Sequence, residues 1–266
     1  MNPPLFLARL VFTVSLLGCF AGSAGAAESA PATGKRVLFV YNQSDLEKAH
    51  AAVPAVPARI QAKESQRSND HKLAAYFTGL GFTVTTTDEY SPATLAEGED
   101  LIVISESVSA VEIGTKYRDT PVPLVTFEND LVGDLGMSDD KAGRDWDTEA
   151  GLRFVRIVNA PHPLAAGLAA GSQNVLSTDR FKMSWGRPAL GSGATVIATL
   201  RGDPEKAAIF AFEKGASLTN DRVAPARRVM FFLDSDTFEQ LRPEGLALLR
   251  ATLLWAANVI PPQSQR

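Results

Sequence analysis

The first half of the chain contains short apolar runs separated by longer segments with a polar face. Residues 37–41 and 101–104 are continuous apolar runs of strand length, residues 124–127 are a mostly apolar run after two prolines, and residues 82–87 alternate between apolar and polar positions. Continuous runs of this kind are typical of strands that are buried on both faces of a parallel sheet. Crossover segments link these strands, so the pattern predicts an α/β fold with a doubly wound, mostly parallel sheet.

The segment between the first two predicted strands contains the clearest helix of this half. Capping residues at 68–70 mark its start, apolar residues follow at helical spacing, and Gly81 marks its end. Residues 42–65 are predicted to form a polar loop with a marginal helix, because Pro54 and Pro57 interrupt the pattern.

The second half has strand patterns without long helices between them. These predicted strands are residues 154–158, 195–200, 207–212 and 228–233. The turn sequence Gly202-Asp203-Pro204 predicts a hairpin between the second and third of them. We therefore expect an antiparallel extension of the sheet in the C-terminal half. A closing helix is predicted at residues 243–257, with leucines along one face.

Residues 1–26 have the anatomy of a secretory signal peptide. Arg9 precedes a short apolar run, and small residues follow it. Ala24-Gly25-Ala26 predicts cleavage by an ordinary signal peptidase, whereas Leu16-Leu17-Gly18-Cys19 resembles a lipobox that would give a lipid anchor at Cys19. The apolar run is shorter than the ~20 residues of a membrane span. We expect an exported protein without a membrane span, either periplasmic or secreted, or alternatively a membrane-anchored lipoprotein.

A single domain is predicted after this leader. Residues 27–35 are rich in Ala, Pro, Ser and Gly, so they are predicted to form a disordered spacer, and residues 36–260 are predicted to form the domain. Cys19 is the only cysteine in the chain. The folded body therefore contains no disulfide, no thiolate nucleophile and no cysteine metal ligand.

Charge and motif content argue against several classes of partner. The net charge is −4, and the densest basic pair of the body, Arg227-Arg228, precedes an apolar run, so we interpret it as the solvated start of a strand and expect no nucleic acid. No glycine-rich phosphate loop follows a predicted strand. His50, His71 and His162 lack metal-ligand spacing. We expect neither a cofactor nor a metal.

Polar side chains follow the predicted strands at their carboxyl ends, where open α/β sheets bind ligands. The predicted ligand-binding residues at this rim are Asn42, Glu128, Asp130, Asp234 and Asp236. Ordinary loop and capping chemistry also favours Asp, Asn and Ser at such positions. Glu106 is different, because a glutamate directly after an apolar strand is a poor cap. We predict it as a catalytic acid or base with a raised pKa.

Two further candidates lie in predicted loops. His162 is held between two prolines, and it is either a catalytic residue or a histidine that hydrogen-bonds a neighbouring carbonyl. Trp146 and Trp185 are predicted in polar loops, where Trp185 would either stack on a sugar ring or seal the edge of the sheet. Residues 130–148 are predicted to be a lid or a disordered loop.

Four segments together resemble secreted domains of the ThuA-like branch of the class I glutamine amidotransferase-like superfamily. They are Ser-Glu-Ser-Val-Ser at 105–109, Asn-Ala-Pro-His-Pro-Leu at 159–164, Ala-Ile-Phe-Ala-Phe-Glu-Lys-Gly at 208–215 and Arg-Val-Met-Phe-Phe-Leu-Asp at 228–234. The resemblance covers residues 36–258. It implies a flavodoxin-like sheet and a loose association with sugar metabolism.

The sequence departs from that family at the nucleophile. An amidotransferase uses a cysteine on the sharp turn after its nucleophile strand and a histidine that takes its proton. Ser107 occupies the comparable position, and the late strand that would supply the histidine leads into Asp234-Ser235-Asp236. These departures argue against glutamine hydrolysis and leave Ser107 as a candidate nucleophile of lesser weight.

The leading functional hypothesis is an exported ThuA-like domain that recognises or processes a carbohydrate-type small molecule at the rim. The alternative is a catalytically inactive amidotransferase-like module that binds a sugar or another protein. The residues decide neither whether the chain is an enzyme nor its oligomeric state.

Overall fold

The computed structural model describes residues 30–51 and 56–259. The predicted signal peptide, Cys19 and residues 27–29 of the predicted spacer lie outside the described residues. Residues 30–35 form turns in place of the predicted disorder. Ala32 is fully buried, and its backbone N–H donates a hydrogen bond to the carbonyl oxygen of Leu80 at 2.9 Å. The packed body therefore begins ahead of the first strand.

The described residues contain eleven strands in one sheet. In chain order they are β1 (Arg36–Val40), β2 (Thr83–Thr87), β3 (Leu101–Ile104), β4 (Leu124–Thr126), β5 (Trp146–Ala150), β6 (Phe154–Ile157), β7 (Gly171–Asn174), β8 (Lys182–Gly186), β9 (Thr195–Leu200), β10 (Ala207–Phe212) and β11 (Arg228–Phe231). The order β2-β1-β3-β4-β11 is parallel throughout. The predicted doubly wound, flavodoxin-like α/β fold is confirmed.

An antiparallel extension follows the parallel strands, as predicted. It continues from β11 through β10, β9 and β6 to β7. The predicted hairpin is the pair β9 and β10, which the turn around Gly202 connects. β11 returns to the middle of the sheet and pairs with β4, so its carboxyl end joins those of the other parallel strands on one edge.

Two elements on the extension correct the sequence interpretation. Trp146 lies in β5 and Trp185 in β8, a pair of antiparallel strands attached to β10, and not in loops. Charged residues such as Asp147 and Lys182 lie within these strands, so neither shows as the continuous apolar run of a buried strand. The predicted lid or loop at 130–148 contains a short helix and the start of β5.

Five α-helices occur in the described residues. They are α1 (Asp45–Ala51), α2 (Pro57–Gly79), α3 (Ala110–Ile113), α4 (Leu131–Asp134) and α5 (Pro243–Ala256), and 3-10 turns lie at Ala93–Ala96, Pro163–Ala165 and Phe238–Gln240. The segment predicted as a polar loop with a marginal helix thus contains α1 and the first part of α2, which is more helix than expected. Pro57 begins α2 rather than breaking a helix, because the first helical position needs no backbone N–H.

The sheet separates two apolar layers. Phe39 of β1 packs with Phe77 of α2 and Leu249 of α5 on one face. Leu38 packs with Tyr117 on the other. Because successive strand residues point to opposite faces, a fully apolar strand such as β1 serves both layers. Helices cover the faces, so the polar loops collect at the two edges where strands begin and end.

Arg228 corrects the interpretation of the basic pair. It is fully buried at the start of β11 and is not solvated. Its guanidinium donates to the carbonyl oxygens of Thr120 at 2.6 Å and Val122 at 3.0 Å. Arginine suits this task because its planar fork carries several donors, and here they fix the connection that leads into β4.

Candidate functional site

Glu106 lies in a shielded position at the carboxyl ends of the parallel strands. It follows β3, and its Oε2 atom accepts a hydrogen bond from the backbone N–H of Ser235 at 3.0 Å. The hydroxyl of Ser235 donates to the same oxygen. Ser235 belongs to the loop after β11, and β4 lies between β3 and β11 in the sheet. Glu106 therefore points along the rim, across the end of β4.

Two more carboxyl groups meet Glu106 there. Glu128 follows β4 and is 6% exposed, and its Oε1 atom accepts a hydrogen bond from the N–H of Asp130 at 3.0 Å. Asp234 follows β11 and is close enough for its charge to act on both glutamates. Within the described part of the chain, Glu106 Oε1 and Glu128 Oε2 have no hydrogen-bond partner. We call the side chains of Glu106, Glu128 and Asp234 the rim carboxyls.

Burial and mutual repulsion raise the pKa of each rim carboxyl above its ordinary value. The pKa of Glu106 is raised by burial first and then by the charges of Asp234 and Glu128. Burial also raises the pKa of Glu128, and Asp130 and Asp234 add to it. The pKa of Asp234 is raised by burial, although Lys182 opposes the shift. Such groups can donate a proton or a hydrogen bond near neutral pH.

Two other predicted ligand-binding residues border the rim carboxyls. Asp130 accepts a hydrogen bond from the side-chain amide of Asn129 at 3.2 Å, and burial raises its pKa. Asp236 accepts one from the hydroxyl of Ser65 at 2.9 Å. The charge of Asp236 contributes to the raised pKa of Asp234. Glu106, Glu128, Asp130, Asp234 and Asp236 thus form one acidic group.

Helix α2 lies against this group through polar side chains. Gln66 donates from Nε2 to the hydroxyl of Ser235 at 3.1 Å, and Asn69 donates from Nδ2 to its carbonyl oxygen. The Oε1 atom of Gln66 is buried without a partner among the described residues. The helix therefore holds the 234–236 loop in place.

Asp70 of α2 forms a second network with the loop after β3. Its Oδ1 atom accepts from the hydroxyl of Ser105 at 2.5 Å, and its Oδ2 atom accepts from the hydroxyl of Ser107 at 2.7 Å. Burial raises the pKa of Asp70 to about 7, although both hydroxyl groups oppose the shift. Ser107 also accepts a hydrogen bond from the N–H of Asn42 at 3.1 Å. The hydroxyl group of Ser107 is therefore committed to contacts that join β1, β3 and α2.

Asn42 extends this network to β2. Its Nδ2 atom donates to Glu89 at 2.8 Å, and its Oδ1 atom accepts from the N–H of Asp45 at the start of α1. Glu89 is fully buried, burial raises its pKa, and its Oε2 atom has no partner among the described residues. Asn42 thus stabilises the crevice between β1 and β3, where the direction of chain winding changes.

His162 and Trp185 do not join the rim. His162 caps the 3-10 turn Pro163–Ala165 and packs on the ring of Trp255, with a centroid distance of 5.5 Å. The groups that act on its pKa are Glu213 and Arg227, which lie where β10 ends and β11 begins, at the opposite edge of the sheet. Catalysis by His162 together with Glu106 is excluded by this separation. Trp185 is 4% exposed within the core and offers no ring face to a ligand.

Comparisons with known proteins give likenesses of fold only. The sequence matches no protein-family model and no curated protein. A protein described as ThuA-like from Bacteroides uniformis ATCC 8492 is 15% identical, with 88% of this chain and 94% of that chain covered and a TM-score of 0.48. A protein from Thermoplasma acidophilum described as a GMP synthase subunit is 12% identical, covering 84% and 95%, with a TM-score of 0.46. The N-terminal domain of mmIFT52 is 8% identical, covering 84% and 97%, with a TM-score of 0.39.

All three TM-scores are below 0.5, so none of these likenesses supports a family or a function for this chain. They also assign no reaction to the rim.

The acidic group does not have the arrangement of a metal centre. In residues 30–51 and 56–259, no group of three or more His, Cys, Asp or Glu side chains is placed to hold a metal ion. Among the helices described, none is long and apolar enough to cross a membrane. What the rim offers is a pair of glutamates whose pKa is raised, Glu106 and Glu128, each with a free oxygen and lying beside amide and hydroxyl groups.

The sequence pattern misses the contribution of α2 to the site. It suggests a helix start at Asn69 and Asp70, but both residues lie inside a 23-residue helix. They precede Leu73 by four and three positions, so they share its buried face. Polar residues at core-facing helical positions are the signal that could have identified them.

Proposed function

We propose that the protein is an exported domain of the ThuA-like kind that binds a carbohydrate-type small molecule at the rim carboxyls. The observation that carries the proposal is the convergence of Glu106, Glu128 and Asp234 in one shielded place with free oxygen atoms. A protonated carboxyl group both donates and accepts hydrogen bonds. Neighbouring hydroxyl groups of a sugar do the same, so the two patterns are complementary.

The processing version of the proposal assigns Glu106 the role of acid or base. Its raised pKa would let it give a proton to a sugar oxygen near neutral pH and take one back. The hydrogen bonds from Ser235 would fix its orientation, and the free Oε1 atom would face the substrate. Asp70 and Ser107 would position the β3 loop without touching the ligand.

One observation favours the binding-only alternative. The hydroxyl group of Ser107, at the position comparable to an amidotransferase nucleophile, donates to Asp70 and accepts from Asn42. A side chain committed to two structural contacts is poorly placed to attack a substrate. A sugar-binding or protein-interaction module without turnover would need only the rim carboxyls.

The test compares Glu106→Gln with the wild type. Isothermal titration calorimetry against a panel of neutral mono- and disaccharides should find a sugar that the wild type binds and that Glu106→Gln binds about tenfold more weakly. The reason is that an amide nitrogen can donate to a sugar hydroxyl group but, unlike the hydroxyl of a protonated carboxyl group, cannot accept from it. Glu112→Gln is the matched control, because it makes the same change at an exposed position on α3. Turnover of the bound sugar that Glu106→Gln abolishes would select the processing version.

Two results would contradict the proposal. One is a wild-type protein that binds no sugar of the panel, and the other is a Glu106→Gln variant that binds as tightly as Glu112→Gln. Binding without turnover in the wild type would select the binding-only module.

Export is supported by the anatomy of residues 1–26. Expression of the full chain with a Gram-negative secretion apparatus should yield a product in the periplasm whose N-terminus, read by mass spectrometry, is Ala27. An N-terminus at an acylated Cys19 would instead indicate the lipoprotein. Retention of Met1 in the cytoplasmic fraction would contradict export.

A further inference from the structure

A cavity of about 860 Å³ lies at the edge of the sheet opposite the rim carboxyls. The turn that follows His162 forms one wall, and α5 forms another with Ala251 and Leu254. Arg227, which precedes β11, closes one side, so the cavity lies where the parallel strands begin. Its volume is in the range of small-molecule sites, which are mostly apolar with a few polar groups.

The cavity carries an excess of positive charge. Arg227 is engaged, since it pairs with Glu213 at 2.9 Å and lies over the ring of Trp255 at 4.2 Å. Arg250 also lines the cavity, and no carboxylate among the described residues lies within ion-pair distance of it. One cation and one neutralised pair therefore face the same space.

His162 adds a directed donor to this charge. Its Nδ1 atom accepts a hydrogen bond from the N–H of Leu164 at 3.2 Å. Burial lowers the pKa of His162, so the ring is neutral at physiological pH and carries its hydrogen on Nε2. Nε2 is thus a donor that belongs to a residue of the cavity wall.

The remaining wall is apolar. Ala247, Ala251 and Leu254 occupy one face of α5, and the small side chains of the two alanines leave the space that the cavity fills. Trp255 is 9% exposed and is held between Arg227 and His162. An apolar body could lie along α5 while its charged end meets Arg250.

We propose that this cavity binds a small organic anion with an apolar body, of the medium-chain carboxylate type, whose charged end contacts Arg250 and His162. The site is separate from the rim carboxyls, so this proposal does not depend on sugar binding at the rim. Octanoate is a suitable probe because it combines one carboxylate with an apolar chain.

The experiment is a titration of ¹⁵N-labelled protein with octanoate, followed by amide chemical shifts. Saturable shifts are expected at residues 162–167 and 247–259, with octylammonium and acetate at least about tenfold weaker because one lacks the negative charge and the other the apolar body. Arg250→Gln should weaken octanoate binding by a similar factor. Arg180→Gln, at an exposed position outside the cavity, should leave it unchanged.

Ala251→Trp gives an independent check, since it fills the cavity without removing a charge. It should abolish the octanoate shifts while the other amide resonances retain the native pattern. Scattered shifts, octylammonium binding equal to octanoate, or unaltered binding by Arg250→Gln would each overturn the proposal.

Discussion

Asp70 is a residue whose environment fixes its protonation. It is 1% exposed and lies between the hydroxyl groups of Ser105 and Ser107. Two donors would normally stabilise a carboxylate, but the cost of burying the charge is larger, so the pKa rises to about 7. The group is therefore partly protonated at neutral pH, and its contribution to stability depends on pH.

The first prediction concerns the pH dependence that Asp70 creates. Because its pKa is higher in the folded chain than the usual 3.8, its contribution favours folding at low pH and is lost as the pH rises through about 7. The free energy of unfolding of the wild type should fall by a few kcal/mol relative to Asp70→Asn between about pH 4 and pH 8. Urea unfolding across this range measures the difference. A wild type and an Asp70→Asn variant with parallel profiles would refute the assignment, and Asp179→Asn, at an exposed position, serves as the control.

Single residues also show what the sequence can and cannot predict about the site. Glu106 is identifiable because a glutamate after an apolar strand has no capping role. His162 and Trp185 are candidates by residue type alone, and the fold places them away from the rim. The sequence does not identify Ser235 as a site residue, because its contact with Glu106 depends on β11 lying two strands from β3. That neighbour relation is set by tertiary topology and leaves no local pattern.

At the scale of elements, apolar strands are predictable and polar ones are not. β1, β3 and β4 are buried on both faces and show as continuous runs. β7 has the sequence Gly-Ser-Gln-Asn and β5 the sequence Trp-Asp-Thr-Glu-Ala, so their strand conformation comes from pairing with a neighbour rather than from propensity. The predicted α2 is too short because the first half of the helix is polar. That half contacts α1 and the 234–236 loop through polar side chains and has no apolar stripe.

The second prediction concerns the docking of α5. A Cβ atom added at Gly245 would lie 2.6 Å from the backbone carbonyl oxygen of Val175, which cannot move aside cheaply. Gly245→Ala should therefore destabilise the protein by about 1–3 kcal/mol in urea unfolding, despite the better helix propensity of alanine. Gly79→Ala is the matched control, because the space around that helical glycine is open. Its stability should be unchanged or higher by up to about 1 kcal/mol, and equal effects at both glycines would contradict the packing described.

At the scale of the whole molecule, one sheet separates two kinds of environment. Its carboxyl edge collects acidic side chains, and the opposite edge collects Arg227, Arg250 and His162 around an apolar cavity. The doubly wound topology explains this division, because all parallel strands end on the same edge and the covering helices protect both faces. The fold class is predictable from strand and helix alternation. The cavity at the opposite edge is not predictable in this way, because it forms only where α5 packs beside His162 and Arg227.

The proposed site requires that Glu106 and Glu128 share a shielded place that raises the pKa of both carboxyl groups. The direct measurement is a pH titration of protein labelled with ¹³C at the glutamate carboxyl carbons, with Glu106→Gln and Glu128→Gln used to assign the two signals. The signals of Glu106 and Glu128 should titrate well above the ordinary glutamate value of 4.5, and removal of either group should lower the midpoint of the other. Two independent midpoints near 4.5 would show that the carboxyl groups are solvated and apart, and would contradict the proposed site.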